Sequence, residues 1–179
     1  LIGIHHARGI VGAIDDDRPG GRRHDALDVG QARIKAAAEI NYSEPVESVL
    51  RARKNKELPG IYGTIAELGK VDKKYSTALE IAAGGRMQAV VVDNDEDAAR
   101  AITYLKERRL GRVTFLPLNK MQAMPSLSKK EKEGIIDYAI NLVDFEKKLA
   151  PAFWYVFRDT LVINDLDTAR RLMGGKRLV

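Results

Sequence analysis

Four carboxylates are the side chains of this sequence best placed for chemistry. Asp95 and Asp97 form one Asp-x-Asp pair and Asp165 and Asp167 another, each following an apolar run, Ala89-Val90-Val91-Val92 and Thr160-Leu161-Val162-Ile163. Paired carboxylates at the carboxyl end of a buried strand can ligate Mg²⁺ or border a bound phosphate, which would describe a small doubly wound nucleotide- or phosphate-binding enzyme. The same residues at the first turn of a helix instead accept orphan backbone N–H groups and face the positive end of the helix dipole. Neither turn is accompanied by a Lys, Ser or Thr constellation suited to phosphotransfer. Capping is therefore the preferred reading, the enzyme is the alternative, and no catalytic residue, metal or cofactor is assigned.

The elements around these turns repeat. Asn94-Asp95-Glu96-Asp97-Ala98-Ala99-Arg100 recurs 70 positions later as Asn164-Asp165-Leu166-Asp167-Thr168-Ala169-Arg170. Each copy predicts a buried β-branched strand, a carboxylate-rich turn and a helix, Ala98 to Arg109 in the first and Thr168 to Met173 in the second. Each helix stops near glycine and leads to another strand, Val113-Thr114-Phe115-Leu116 and Leu178-Val179. The fold class expected is α+β, as two similar αβ subdomains folded against each other.

Further elements complete them. Val46 to Lys56 predicts a helix just after Pro45, and Gln31 to Ile40 another. Ile61 to Leu68 reads as a strand-like run after the breaker Leu58-Pro59-Gly60, and Lys73 to Ala83 as a helix with Tyr75, Leu79 and Ala82 on one face. Ile140-Asn141-Leu142-Val143 opens the second half, and residues 151–157, Pro-Ala-Phe-Trp-Tyr-Val-Phe, read as a helix with a buried aromatic face. The expected organisation is an irregular segment over 1–30, a short N-terminal helical arm over 31–57, subdomain I over 58–118, a connector over 119–134 with a helical patch at Lys129 to Glu133, and a C-terminally incomplete subdomain II over 135–179. In residues 1–30, Asp15-Asp16-Asp17 and Arg8-Gly9-Ile10-Val11-Gly12 lack the spacing of a known calcium or phosphate loop.

Composition narrows the classes. The 179 residues contain no cysteine, which excludes disulfides and thiolate metal sites, and three histidines, His5, His6 and His24, all outside the repeats. No apolar run approaches the roughly 20 residues that span a bilayer, and no signal-peptide layout opens the chain, so a soluble cytoplasmic protein without membrane contact is expected. A net charge of +5 and a pI near 9.4 suit a polyanionic partner such as nucleic acid and equally suit a solvated Lys-rich surface. A monomeric nucleic-acid-binding domain therefore stays open.

From Leu58 the run Leu58-Pro59-Gly60-Ile61-Tyr62-Gly63-Thr64-Ile65-Ala66-Glu67-Leu68 resembles the opening of the hinge domain of SMC (structural maintenance of chromosomes) proteins of archaeal or bacterial type. Residues 78–88 resemble its helix-to-strand corner, residues 111–118 the strand closing its first half, and residues 157–169 the core of its second half. The resemblance covers about Val46 to Val179. It implies two subdomains per chain, a homodimer joining two coiled-coil arms, and a role in chromosome condensation and segregation, nucleoid-associated. Residues 1–30 lack the sustained heptads of such an arm, and no Walker A pattern occurs anywhere in the sequence, so ATP hydrolysis is not expected of this chain.

Two surfaces follow as candidates. Gly84-Gly85 and Gly174-Gly175 each stand after a helix, where one glycine serves as a C-cap and the second permits close backbone approach, as in strand addition at a sheet edge. With the resemblance, Gly84, Gly85, Arg86, Met87, Gln88, Gly174 and Gly175 are the expected dimer interface. Arg108, Arg109, Arg112 and Lys120 are the candidates for non-specific DNA phosphate contacts, on the expectation that they make one basic surface where the first repeat meets the connector. Phe153 and Trp154 are read as core anchors.

Overall fold

A computed structural model of the chain describes residues 41–127, 133–172, 174 and 177–179. The irregular segment expected over 1–30, the helix expected from Gln31, the connector patch apart from Glu133, and Gly175 lie outside these residues.

Helix α1, Glu44–Lys54, has Pro45 in its first turn, acids Glu44 and Glu47 at its start and bases Arg51, Arg53 and Lys54 at its end, all favourable to its dipole. Val46, Val49 and Ala52 form its buried stripe. Strand β1, Ile61–Thr64, follows and ends abruptly in a one-turn helix α2, Ile65–Leu68. The strand expected to continue to Leu68 stops because Thr64 and Glu67 form a capping box: the Glu67 N–H donates to Thr64 Oγ1 at 3.2 Å, and the Thr64 N–H donates to Glu67 Oε2 at 3.1 Å. Next come β2, Lys70–Val71, a 3₁₀ turn at Lys73–Tyr75, and α3, Ser76–Ala83. A 3₁₀ segment, Gly84–Gln88, leads to β3, Val90–Val92, and α4, Asp95–Glu107, precedes β4, Phe115–Pro117.

The second half opens with β5, Ile135–Tyr138, a strand missed in the sequence; the expected opening at Ile140 is instead a 3₁₀ turn, Ala139–Leu142. Then follow β6, Val143–Asp144, a 3₁₀ turn at Lys147–Leu149, α5, Ala150–Phe157, β7, Leu161–Ile163, and α6, Leu166–Leu172.

One sheet has the order β1-β3-β4, with β1 antiparallel and β4 parallel to β3. In the second, β5 runs antiparallel to β7, and Leu178 bridges Leu161 in parallel. Between them β2 pairs antiparallel with β6, Lys70 opposite Asp144 and Val71 opposite Val143. The halves thus meet through a two-strand ladder and a common core, in which Ile65, Leu79, Val91 and Leu116 pack with Tyr138, Ile140, Phe153, Val156 and Val162. Phe153 lies between Phe145, stacked at 4.2 Å, and Phe157, at 6.4 Å. Gly69 completes this junction, since a Cβ there would stand 2.8 Å from Val143 Cγ1 and 2.9 Å from the Phe153 ring. The other face of the first sheet carries a second core, with Val90 and Val92 against Val46 and Val49 of α1 and Ala98, Ala101 and Leu105 of α4. Three consecutive fully buried valines are the expected signature of a strand covered on both faces.

Candidate interface corner and basic surface

The carboxylates become helix-end chemistry. Asn94 is the N-cap of α4, its side-chain oxygen accepting the Asp97 N–H at 2.9 Å. Asp97 itself is buried, paired with Arg100, and packed against Gly60, whose φ of 73° no β-carbon would suit because it would fall inside the Asp97 carboxylate. In the second half Asp165 accepts the Thr168 N–H at 2.6 Å and the Thr168 hydroxyl at 2.9 Å. Those hydrogen bonds, the backbone one first, hold its carboxyl below its ordinary pKa. Asp95 is also held low, first by the Asn119 amide, which donates at 2.7 Å, with Lys120 at 3.3 Å adding its charge. Among the described residues no group of three His, Asp or Glu side chains can hold a metal ion. Capping is thus carried by Asn94 and Asp165.

The glycine corner departs from a strand edge. Gly84, with φ 53° and ψ −140°, ends α3, and residues 84–88 form the 3₁₀ segment that leads into the central strand of the first sheet. Gly84, Gly85 and Arg86 are exposed, while Met87 and Gln88 are half-buried. Gln88 ties the corner to the start of α1, accepting the Ser43 N–H at 3.0 Å. A Cβ at Gly84, Gly85 or Gly174 would meet no atom within 4 Å. Gly84, Gly85 and Gly174 therefore present backbone to solvent, and β4 is an edge strand of the first sheet.

The basic candidates split. Arg108, Arg109 and Arg112 lie at and beyond the C-terminal end of α4, with the Arg108 guanidinium 3.8 Å from the Tyr104 ring centroid and 4.0 Å from Glu57. Arg109 has φ 54° and completes the helix end with its N–H to Lys106 O. Lys120 pairs with Asp95 at the opposite end of the same 13-residue helix, roughly 20 Å away. The expected single basic surface is therefore three arginines with Lys120 set apart. Trp154 is only partly buried, its ring 5.9 Å from the Arg158 guanidinium, whereas Phe153 is a core anchor as expected.

The family described as the SMC proteins flexible hinge domain matches residues 58–173, which span both sheets and the β2–β6 ladder. The chain belongs to the SMC hinge family. The hinge is 47% identical over 156 residues to the chromosome partition protein Smc of Gloeobacter violaceus, covering 82% of this chain and 13% of that protein. It is 43% identical over 148 residues to Smc of Methanocaldococcus jannaschii, covering 83% of this chain and 12% of that protein. Among solved structures it resembles the asymmetric dimer of the Geobacillus stearothermophilus SMC hinge domain, with TM-score 0.71, 33% identity, and coverage of 86% of this chain and 68% of that one. It also resembles the Pyrococcus furiosus SMC hinge domain, with TM-score 0.65, 34% identity, and coverage of 87% and 81%. The hinge thus spans about an eighth of the length of these curated relatives. Among the described residues no helix is long and apolar enough to cross a membrane.

Proposed function

We propose that this chain is the self-associating hinge of a chromosome-partition SMC protein of the cytoplasm, joining two coiled-coil arms through a homodimer. The observation that carries the reading is the contrast among glycines. Gly60, Gly63, Gly69 and Gly134 are each required by close intrachain neighbours, whereas Gly85 and Gly174 face open space with φ outside the left-handed region. A glycine with no intrachain reason suits close backbone approach by a second copy, and the Gly84–Gln88 corner with Gly174 and Gly175 is the surface we assign to it. Sedimentation velocity tests it. Gly85→Glu should fold with a melting temperature near that of the parent and remain monomeric where the parent dimerises; an unchanged dimer constant removes the corner from the interface.

The two halves are, in this reading, copies of one unit related by a pseudo-two-fold axis through the β2–β6 ladder. Gly60 and Gly134, at φ 73° and 82°, open them, and both accept the backbone N–H that follows the central strand, from Asp93 and Asn164. Both central pairs carry a register shift, between Ile61 and Gly63 and between Ile135 and Asp137.

The hinge also binds DNA through phosphates, without base readout, on Arg108, Arg109 and Arg112. Support comes from their exposure at one helix end in a basic chain. Replacing the three by Glu should lower DNA affinity uniformly across sequences and flatten its salt dependence, while Lys120→Glu should do little. Anisotropy titrations at several salt concentrations decide, and equal slopes for parent and triple variant would exclude this path.

A further inference from the structure

A cavity of about 560 Å³ opens at the C-terminal end of α3, lined in part by Ile81, Gly84 and Thr114 from the first half and by Tyr155 and Arg177 from the second, with Arg86 beside them. These residues occupy matching positions. Ile81 and Tyr155 are both the sixth residues of their helices, α3 and α5. Thr114 and Arg177 both accept a backbone N–H at 2.9 Å from the first residue of a central strand, Val90 and Leu161 respectively. Gly84, with φ 53° and ψ −140°, matches Arg158, with φ 50° and ψ −139°, each at the C-cap of its helix.

The differences at matched positions all run one way: Ile to Tyr, Gly to Arg, and Thr to Arg. Arg158 keeps a side chain where its counterpart is glycine, at a backbone cost of about 1–3 kcal/mol. Its guanidinium lies 5.8 Å from the Tyr155 ring centroid. Arg177 crosses to the first half and donates to Ala82 O at 3.0 Å. Burial, then the Arg86 charge and more weakly that of Arg158, lower its pKa against the opposing pull of Asp159. None of Arg86, Arg158 and Arg177 takes part in an ion pair among the described residues. Of these, Arg86 and Arg177 line the cavity; an anion would stabilise two guanidinium groups that repel each other there, and guanidinium forks match phosphate oxygens.

We propose that this cavity binds the phosphate group of a small molecule, gripped by Arg86 and Arg177, with Tyr155 as a wall for the group that carries the phosphate. The argument from matched positions rests on the two-copy reading of the halves; the cavity and its cations do not. Because Gly84, Gly85 and Arg86 also belong to the proposed dimer corner, self-association must be recorded separately.

The test is isothermal titration of the full 179-residue chain with sodium pyrophosphate and with AMP at constant ionic strength, using Arg86→Gln, Arg177→Gln and the control Arg51→Gln on the exposed face of α1, all checked for folding by circular dichroism. Both cavity variants should bind at least tenfold more weakly than the parent, and the control should match it. Tighter AMP than pyrophosphate supports an organic phosphate, and the reverse supports the free anion in the same site. No heat beyond a sodium chloride blank, or equal affinity in all four proteins, overturns the proposal. Sedimentation velocity in the same buffers separates the readings: a monomer that still binds leaves the site standing and removes only the interface.

Discussion

Asn94 and Asp165, 71 positions apart, perform the same act, each turning a side-chain oxygen back onto the N–H three residues ahead at the start of a helix. The heptapeptide match instead aligns Asn94 with Asn164. Counted from the caps, the two turns are offset by one more residue than the heptapeptide match, and Asp97 and Thr168, the residues that receive the cap, are those against Gly60 and Gly134.

Caps and non-caps should separate in stability. Asn94→Ala should cost about 1 kcal/mol through the lost cap. Asp167→Ala, at an exposed first-turn position where Asp165 already caps the helix, should stay within about 0.5 kcal/mol of the parent. Urea denaturation measures both; equal losses would return capping to Asp167.

The Asp165 cap should be visible in acid. Its folded pKa is depressed, so its contribution is present above the unfolded value near 3.9 and disappears as pH falls through the folded value. The stability difference between parent and Asp165→Asn should accordingly shrink as urea titrations move from pH 6 to pH 2.5. A constant difference over that range would mean that the cap does not act through the carboxylate charge.

Internal glycines should be intolerant where Gly85 is not. Gly134→Ala places a β-carbon inside the Thr168 side chain at φ 82° and should lose about 1–3 kcal/mol or more. Gly85→Ala should be nearly neutral in folding. Thermal melts of the two variants at equal concentration give the comparison.

Arg158→Gly should stabilise the fold by about 1 kcal/mol, since strain relief exceeds the added chain entropy of glycine. It should leave self-association intact. A loss of stability in calorimetry would mean that the Arg158 contacts with Trp154 and Tyr155 outweigh the backbone strain.

The sequence alone determined the strands Val90–Val92 and Leu161–Ile163 and the helices that follow them, because β-branched runs, caps and helix periodicity act locally. It also carried the α+β class and the hinge resemblance. It missed β5, whose Ile135-Ile136-Asp137-Tyr138 has a polar residue and a register shift where a clean strand would alternate. β1 ends at Thr64 instead of running on to Leu68 because Thr64-x-x-Glu67 is a capping box that starts a helix. Only the tertiary structure decided that Lys120 stands a helix length from Arg108, and that Ile81, Tyr155 and Arg177 share one cavity. The first relation follows from the parallel pairing of β3 with β4 and the second from the pairing of β2 with β6 and of Leu161 with Leu178, contacts between residues far apart along the chain that no local propensity encodes.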